Sequence, residues 1–121
     1  MRKIPEITIC PYCKKKPLWV PNEIIYGKRY GKSYMCYYCI ACDAYVGCHN
    51  NTQKPLGTMA NKELRKYRMA THRVFDSLWK SKNITRDAAY KILNKHFNKE
   101  MHIGESDIET CKEIIKFITM G

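Results

Sequence analysis

Cys10-Pro11-Tyr12-Cys13 and Cys39-Ile40-Ala41-Cys42 decide how the first half of this chain folds. Each is a C-x-x-C pair, and the 25 residues between them are enough for a hairpin. Two sulfurs two positions apart reach one ion from a single tight turn, and backbone N–H groups of that turn hydrogen-bond to the thiolates. Two such turns supply the four soft ligands of a zinc tetrahedron, which leaves no coordination position open. The expectation is therefore one structural Zn2+ held by Cys10, Cys13, Cys39 and Cys42. Cys36 precedes Cys42 by six residues, a spacing some ribbons use, so it is an alternative to Cys39 as the third ligand. Cys48 and His49 are further candidates. Seven cysteines, an odd number, make an awkward disulfide set, and the first ten residues lack the apolar stretch of a secretion signal. Both features favour metal over disulfides and a cytoplasmic location.

Around the cysteines, short apolar runs at Leu18–Val20, Ile24–Tyr26, Tyr34–Tyr38 and Ala44–Val46 predict short strands, with a turn over Gly27–Gly31. Asn50–Gly57 is polar, contains Pro55 and Gly57, and reads as a connection. From Asn61 the period changes. Leu64, Tyr67, Thr71, Val74, Phe75 and Leu78 recur at helical intervals to about Lys80. A second helix starts after Thr85, with Ala89, Ile92, Leu93, His96 and Phe97 on its inner face. Ser106 with Glu109 forms a capping-box signature for a third, whose apolar side is Ile108, Cys111, Ile115 and Ile118. The fold class is α+β: an N-terminal zinc ribbon of short antiparallel strands over residues 1–57, followed by about three α-helices over 58–121, packed with the ribbon as one compact unit.

Several of these strings also resemble a known family. They are Cys42-Asp43-Ala44-Tyr45-Val46-Gly47-Cys48-His49, the stretch Lys54 to Arg65, then His72 to Lys80, Ala88-Ala89-Tyr90 and His102-Ile103-Gly104. Together they are similar to a family of zinc-finger-containing (zinc-ribbon) proteins of bacteria and phages. In that family the second knuckle lies directly before the Asp-Ala-Tyr-Val-Gly string, which supports Cys39 with Cys42 and makes Cys36 an extra cysteine. The resemblance implies a fold and a metal, and no particular activity.

The formal net charge is +11. Zinc adds two positive charges and four thiolates add four negative ones, which leaves about +9. Residues 61–100 carry 11 Lys or Arg against 4 Asp or Glu, and residues 101–121 carry 2 against 4. A basic small protein is suited to phosphate-rich partners. Candidate nucleic-acid contacts are Lys14, Lys15 and Lys16 after the first knuckle, Lys28, Arg29, Tyr30 and Lys32 at the hairpin tip, and Lys62, Arg65, Lys66, Arg68 and Arg73 on the first long helix. Tyr12, Tyr26, Tyr34, Tyr37, Tyr38 and Tyr45 crowd the same half, and exposed rings beside cations stack on unpaired bases. The sequence therefore points to a DNA- or RNA-binding accessory protein that favours single-stranded or irregular nucleic acid, and the family resemblance implies a phage or mobile-element setting. The alternative is a module that binds and modulates a host enzyme or defence complex. His72, Asp76 and His96 invite a hydrolytic reading, and a metal-dependent nuclease would depend on His72 or His49. No G-x-S-x-G, H-E-x-x-H or comparable arrangement accompanies them, so the expectation is no enzyme. No run approaches the roughly 20 apolar residues of a membrane span.

Overall fold

The computed structural model describes residues 5–31 and 34–120. Among them the chain forms two compact units that divide between Lys62 and Glu63. The first is the ribbon. Strands β1 (Leu18–Pro21), β2 (Met35–Cys39) and β3 (Ala44–Gly47) make an antiparallel sheet in the order β1-β2-β3. Trp19 lies opposite Tyr37, which lies opposite Val46; Leu18, Tyr38 and Tyr45 align in the same way. Because successive side chains alternate between faces, these two rows lie on opposite sides of the sheet. The Trp19–Tyr37–Val46 side carries the core, in which Cys10, Tyr37, Ala44, Cys48 and Met59 are buried.

Residues 24–26, expected as a strand, instead form a helical turn, α1 (Glu23–Tyr26). The cause is Asn22. Its side-chain amide donates to the Tyr30 carbonyl and accepts from the Tyr30 N–H, each at 3.1 Å, so the loop is clamped back onto the strand end. Gly27, at φ +82°, ends the turn in the left-handed region that a Cβ disfavours. Ile24 and Tyr26 stay exposed, so the apolar run has no sheet face to cover.

Residues 50–57 are also more than a connection. The Leu56 N–H donates to the Gly47 carbonyl (2.9 Å), and Tyr45 and Ala60 exchange a pair of backbone hydrogen bonds (3.2 and 3.1 Å). The buried Tyr37 hydroxyl donates to the Gln53 carbonyl. The segment therefore folds back on β3 and belongs to the unit that reaches Lys62.

The second unit contains α2 (Lys62–Ser81), α3 (Arg86–Phe97), a 3₁₀ turn at Ile103–Glu105 and α4 (Ile108–Met120). Its core is Phe75, Ala89, Leu93, Met101, Ile103 and Ile114. Thr85 caps α3 by accepting from the Ala88 N–H at 3.1 Å. The cap of α4 is Asp107, not Ser106. The Asp107 carboxylate accepts from the Thr110 N–H at 2.8 Å, while the Ser106 hydroxyl turns back to the His102 carbonyl. That N–H holds the Asp107 carboxyl below its ordinary range. Two inner-face assignments on α3 also shift outward. Ile92 is exposed, and His96 lies at the rim with its ring stacked on Phe117 at 3.8 Å.

Candidate metal centre

The first knuckle begins with the Cys10 N–H donating to the Lys15 carbonyl (2.7 Å) and the Lys14 N–H to the Cys10 carbonyl (2.9 Å). Lys14 is left-handed at φ +66°, which folds Cys13 back toward Cys10. The Lys15 N–H then points at the Cys13 sulfur and brings that thiol down to about 7. The second knuckle is the loop of the β2–β3 hairpin. Cys39 ends β2 opposite Ala44, the Asp43 N–H donates to the Ile40 carbonyl (3.2 Å), and Asp43 is left-handed at φ +50°. Both knuckles thus place a non-glycine residue in the left-handed region one position after their second cysteine. Spacing alone does not reveal this.

The four sulfurs of Cys10, Cys13, Cys39 and Cys42 lie within 4.8 Å of one another, with Cys13 and Cys39 at 3.7 Å. A zinc tetrathiolate with Zn–S of about 2.3 Å has tetrahedron edges of about 3.8 Å, so the donor set fits that ion in number, softness and separation. Burial, and donation of its own S–H to the neighbouring sulfurs, push Cys42 up to about 12, so its proton must leave when metal binds. With four protein ligands the zinc is structural.

Cys36 lies three residues before Cys39 on β2 and therefore on the other face of the sheet. Its thiol meets the Val20 carbonyl at 3.4 Å, and it stands outside the cluster. Cys48 is buried and receives the Trp19 indole N–H. His49, half-buried, is likewise outside the sulfur cluster.

Of the basic residues expected at a nucleic-acid surface, Lys14, Lys15, Lys16, Lys28, Arg29, Lys62, Lys66 and Arg73 are exposed, and Arg65 is half-buried. Lys32 lies outside the described residues. Arg68 is a correction: it is 9% exposed, and its Nε donates to the Ser106 carbonyl at 3.0 Å. Its guanidinium secures the α4 entry and is not a surface cation. Tyr37 leaves the set of exposed rings for the same reason, since it is core. Tyr30 remains: it is exposed, with the Lys28 ammonium 5.4 Å from its ring centre. Tyr26 packs edge-on against Tyr30 (5.0 Å) and Tyr45 (5.9 Å), and Tyr45 against Tyr38 (6.2 Å). Beside them the Arg29 guanidinium covers Tyr34 at 4.3 Å.

His72 and Asp76, two of the residues that invite a hydrolytic reading, are engaged separately. His72 Nδ1 meets the Arg68 carbonyl at 2.9 Å, and Asp76 accepts from the Trp79 indole N–H at 3.0 Å. None of the described helices is long and apolar enough to cross a membrane.

Comparison with curated proteins and with solved structures gave no match. A family model does match, over residues 6–120, and it describes a zinc-finger-containing domain. Two knuckles, a sulfur tetrahedron of zinc dimensions and a match across nearly the whole chain agree: this chain belongs to the DUF3268 family of zinc-finger-containing domains.

Proposed function

We propose that this zinc-stabilised chain is a non-enzymatic accessory protein that binds single-stranded or irregular nucleic acid through its ribbon. The observation that carries the reading is the row Tyr38, Tyr45, Tyr26 and Tyr30. It begins on the sheet face opposite the core and continues over α1, with neighbouring ring centres 5.0–6.2 Å apart. Tyr26 and Tyr30 are about half exposed, at 47% and 51%. Lys28 and Arg29 stand beside the row, and residues 1–62 carry 10 Lys or Arg against 3 Asp or Glu. Rings that take bases and cations that take phosphates are the two parts of a sequence-tolerant single-strand site, each stacked base contributing about 1–3 kcal/mol. A phage or mobile-element setting is supported by the resemblance of the sequence strings.

The test is fluorescence anisotropy of the zinc-loaded protein with single-stranded DNA, duplex DNA and RNA at low and high salt. Single strands should bind more tightly than duplex. Replacing Tyr26 and Tyr30 together by Ala should weaken single-strand binding at least about tenfold. Replacing Lys28 and Arg29 by Ser should lower the slope of log K against log salt by about 1.4, from two lost phosphate contacts. Absence of binding to all three polymers at low salt would end the proposal and leave the protein-partner alternative, to be pursued by a nuclease-resistant pull-down.

A further inference from the structure

On the sheet face opposite the tyrosine row, the ribbon has a cleft of about 860 Å³ between residues 6–8 and β1. Its size is within the range of roughly 300–1,000 Å³ typical of small-molecule clefts. Its floor is fixed. Tyr37 is 6% exposed, and its hydroxyl donates to the Gln53 carbonyl and accepts from the Ile7 N–H, so the ring presents an apolar surface with its polar end already satisfied. Its wall is Trp19, directly opposite Tyr37 in the β1–β2 register. The indole N–H faces the Cys48 thiol, and 42% of the residue remains accessible. A tryptophan set across from Tyr37 with this much open surface offers a stacking wall. At the rim are two charges of opposite sign, the exposed Lys16, next in sequence to Lys14 and Lys15, and the exposed Glu6.

We infer that this cleft is a second binding site, which takes one unpaired nucleobase against Trp19, with the attached phosphate on Lys16 and the Glu6 carboxylate accepting from the base's amino group. The inference rests on the nucleic-acid reading above and deepens it. The tyrosine row is sequence-tolerant, whereas this pocket adds a preference. Cytosine, adenine and guanine each offer an exocyclic amine to a carboxylate, and thymine and uracil offer none. A purely apolar occupant would leave Lys16 and Glu6 unused at the mouth. An acidic peptide would use Lys16 but bring its charge against Glu6.

The chain has two tryptophans, so Trp79→Phe leaves Trp19 as the only indole emitter. In that background the full-length zinc-loaded protein is titrated with hexamers of deoxycytidylate and of thymidylate, and separately with millimolar CMP and UMP, while emission and anisotropy are read together. The expected result is loss of about half or more of the Trp19 emission at saturation, with cytidylate bound about fivefold more tightly than thymidylate. Glu6→Gln should erase the preference while binding persists. Lys16→Glu should weaken both oligonucleotides and leave zinc stoichiometry at one. Trp19→Phe keeps a stacking ring where Trp19→Ala risks the fold, so it should lose less affinity than Trp19→Ala. Oligonucleotide binding seen by anisotropy with unchanged Trp19 emission would overturn the pocket and leave the tyrosine row standing. Quenching by CMP without polymer binding would support the pocket and overturn the tyrosine row. Absence of any response to nucleotides or oligonucleotides would overturn both.

Discussion

Cys39 and Cys36 are three residues apart on one strand, and replacing each in turn separates ligand from bystander. A structural zinc contributes roughly 10–16 kcal/mol of apparent binding free energy, so each of four thiolates accounts for about 3 kcal/mol, or more than 100-fold in affinity. Cys39→Ala removes one corner of the sulfur tetrahedron and also the hairpin-loop anchor opposite Ala44. The ribbon core is small, and two of its five buried members are cysteines, one of them the ligand Cys10. It has little else to hold it. The expected outcome is loss of stoichiometric zinc and of protection against amide exchange in residues 18–47. Exchange protection in α2, α3 and α4 should persist, because their core of Phe75, Leu93, Ile103 and Ile114 contains no metal ligand. Cys36→Ala removes a thiol that meets only the Val20 carbonyl and should cost about 1 kcal/mol with zinc retained. Cobalt substitution read by absorption, with elemental analysis and exchange mass spectrometry, gives the answer. If Cys39→Ala kept a tetrathiolate cobalt spectrum, or Cys36→Ala lost it, the ligand assignment would be wrong.

Other expectations follow from single contacts. Lys14→Gly or Asp43→Gly relieves a left-handed non-glycine residue and should raise the stability of the zinc-loaded ribbon by up to about 1 kcal/mol, read by thermal unfolding. Zinc must displace protons from thiols such as Cys42, whose affinity for its proton is raised, so metal affinity should fall steeply as pH falls below neutrality, measured by chelator competition. Arg68→Ala should destabilise the helical unit by about 2 kcal/mol through the bare Ser106 carbonyl, while Arg73→Ala should leave stability within about 0.5 kcal/mol of wild type in urea unfolding. The Asp107 carboxyl is depressed on folding, so its capping contribution of about 1 kcal/mol is present above its unfolded value near 3.8 and disappears as pH falls through the lower folded value. Asp107→Ala should remove that acid-dependent part of the stability profile.

The metal centre was legible because C-x-x-C spacing is a local geometric demand that few other structures make. The choice between Cys36 and Cys39 needed the extent of β2, which runs on to Cys39 and so turns two cysteines three residues apart to opposite faces, whereas the apolar run ended at Tyr38. Helices with strong periodicity were legible as well. Leu64, Thr71 and Phe75 are buried on α2 as their intervals require. Arg68, at a buried position of the same helix, was hidden because a charge on a helix reads as solvated until its carbonyl partner, 38 residues later, is known. Residues 24–26 misled for a related reason. Their apolarity suggested a strand, while the deciding contact was the two-way amide clamp of Asn22 on Tyr30. Trp19 drew no attention in sequence, since only the pairing that sets it across from Tyr37 reveals it as a cleft wall.

One knuckle is the loop of a hairpin and the other lies 25 residues upstream, and this asymmetry sets an order of assembly. The β2–β3 loop brings Cys39 and Cys42 together by closing only a few residues, so half of the ligand set forms at small entropic cost and holds a metal ion weakly. Cys10 and Cys13 arrive only after the chain carrying β1 and α1 has closed a much longer loop. The ion then acts as a removable cross-link that is fastened last at its upstream end. Folding of the ribbon should accelerate with free zinc until hairpin loading saturates and become independent of zinc above that point, so the concentration of a micronutrient sets how fast the protein becomes competent.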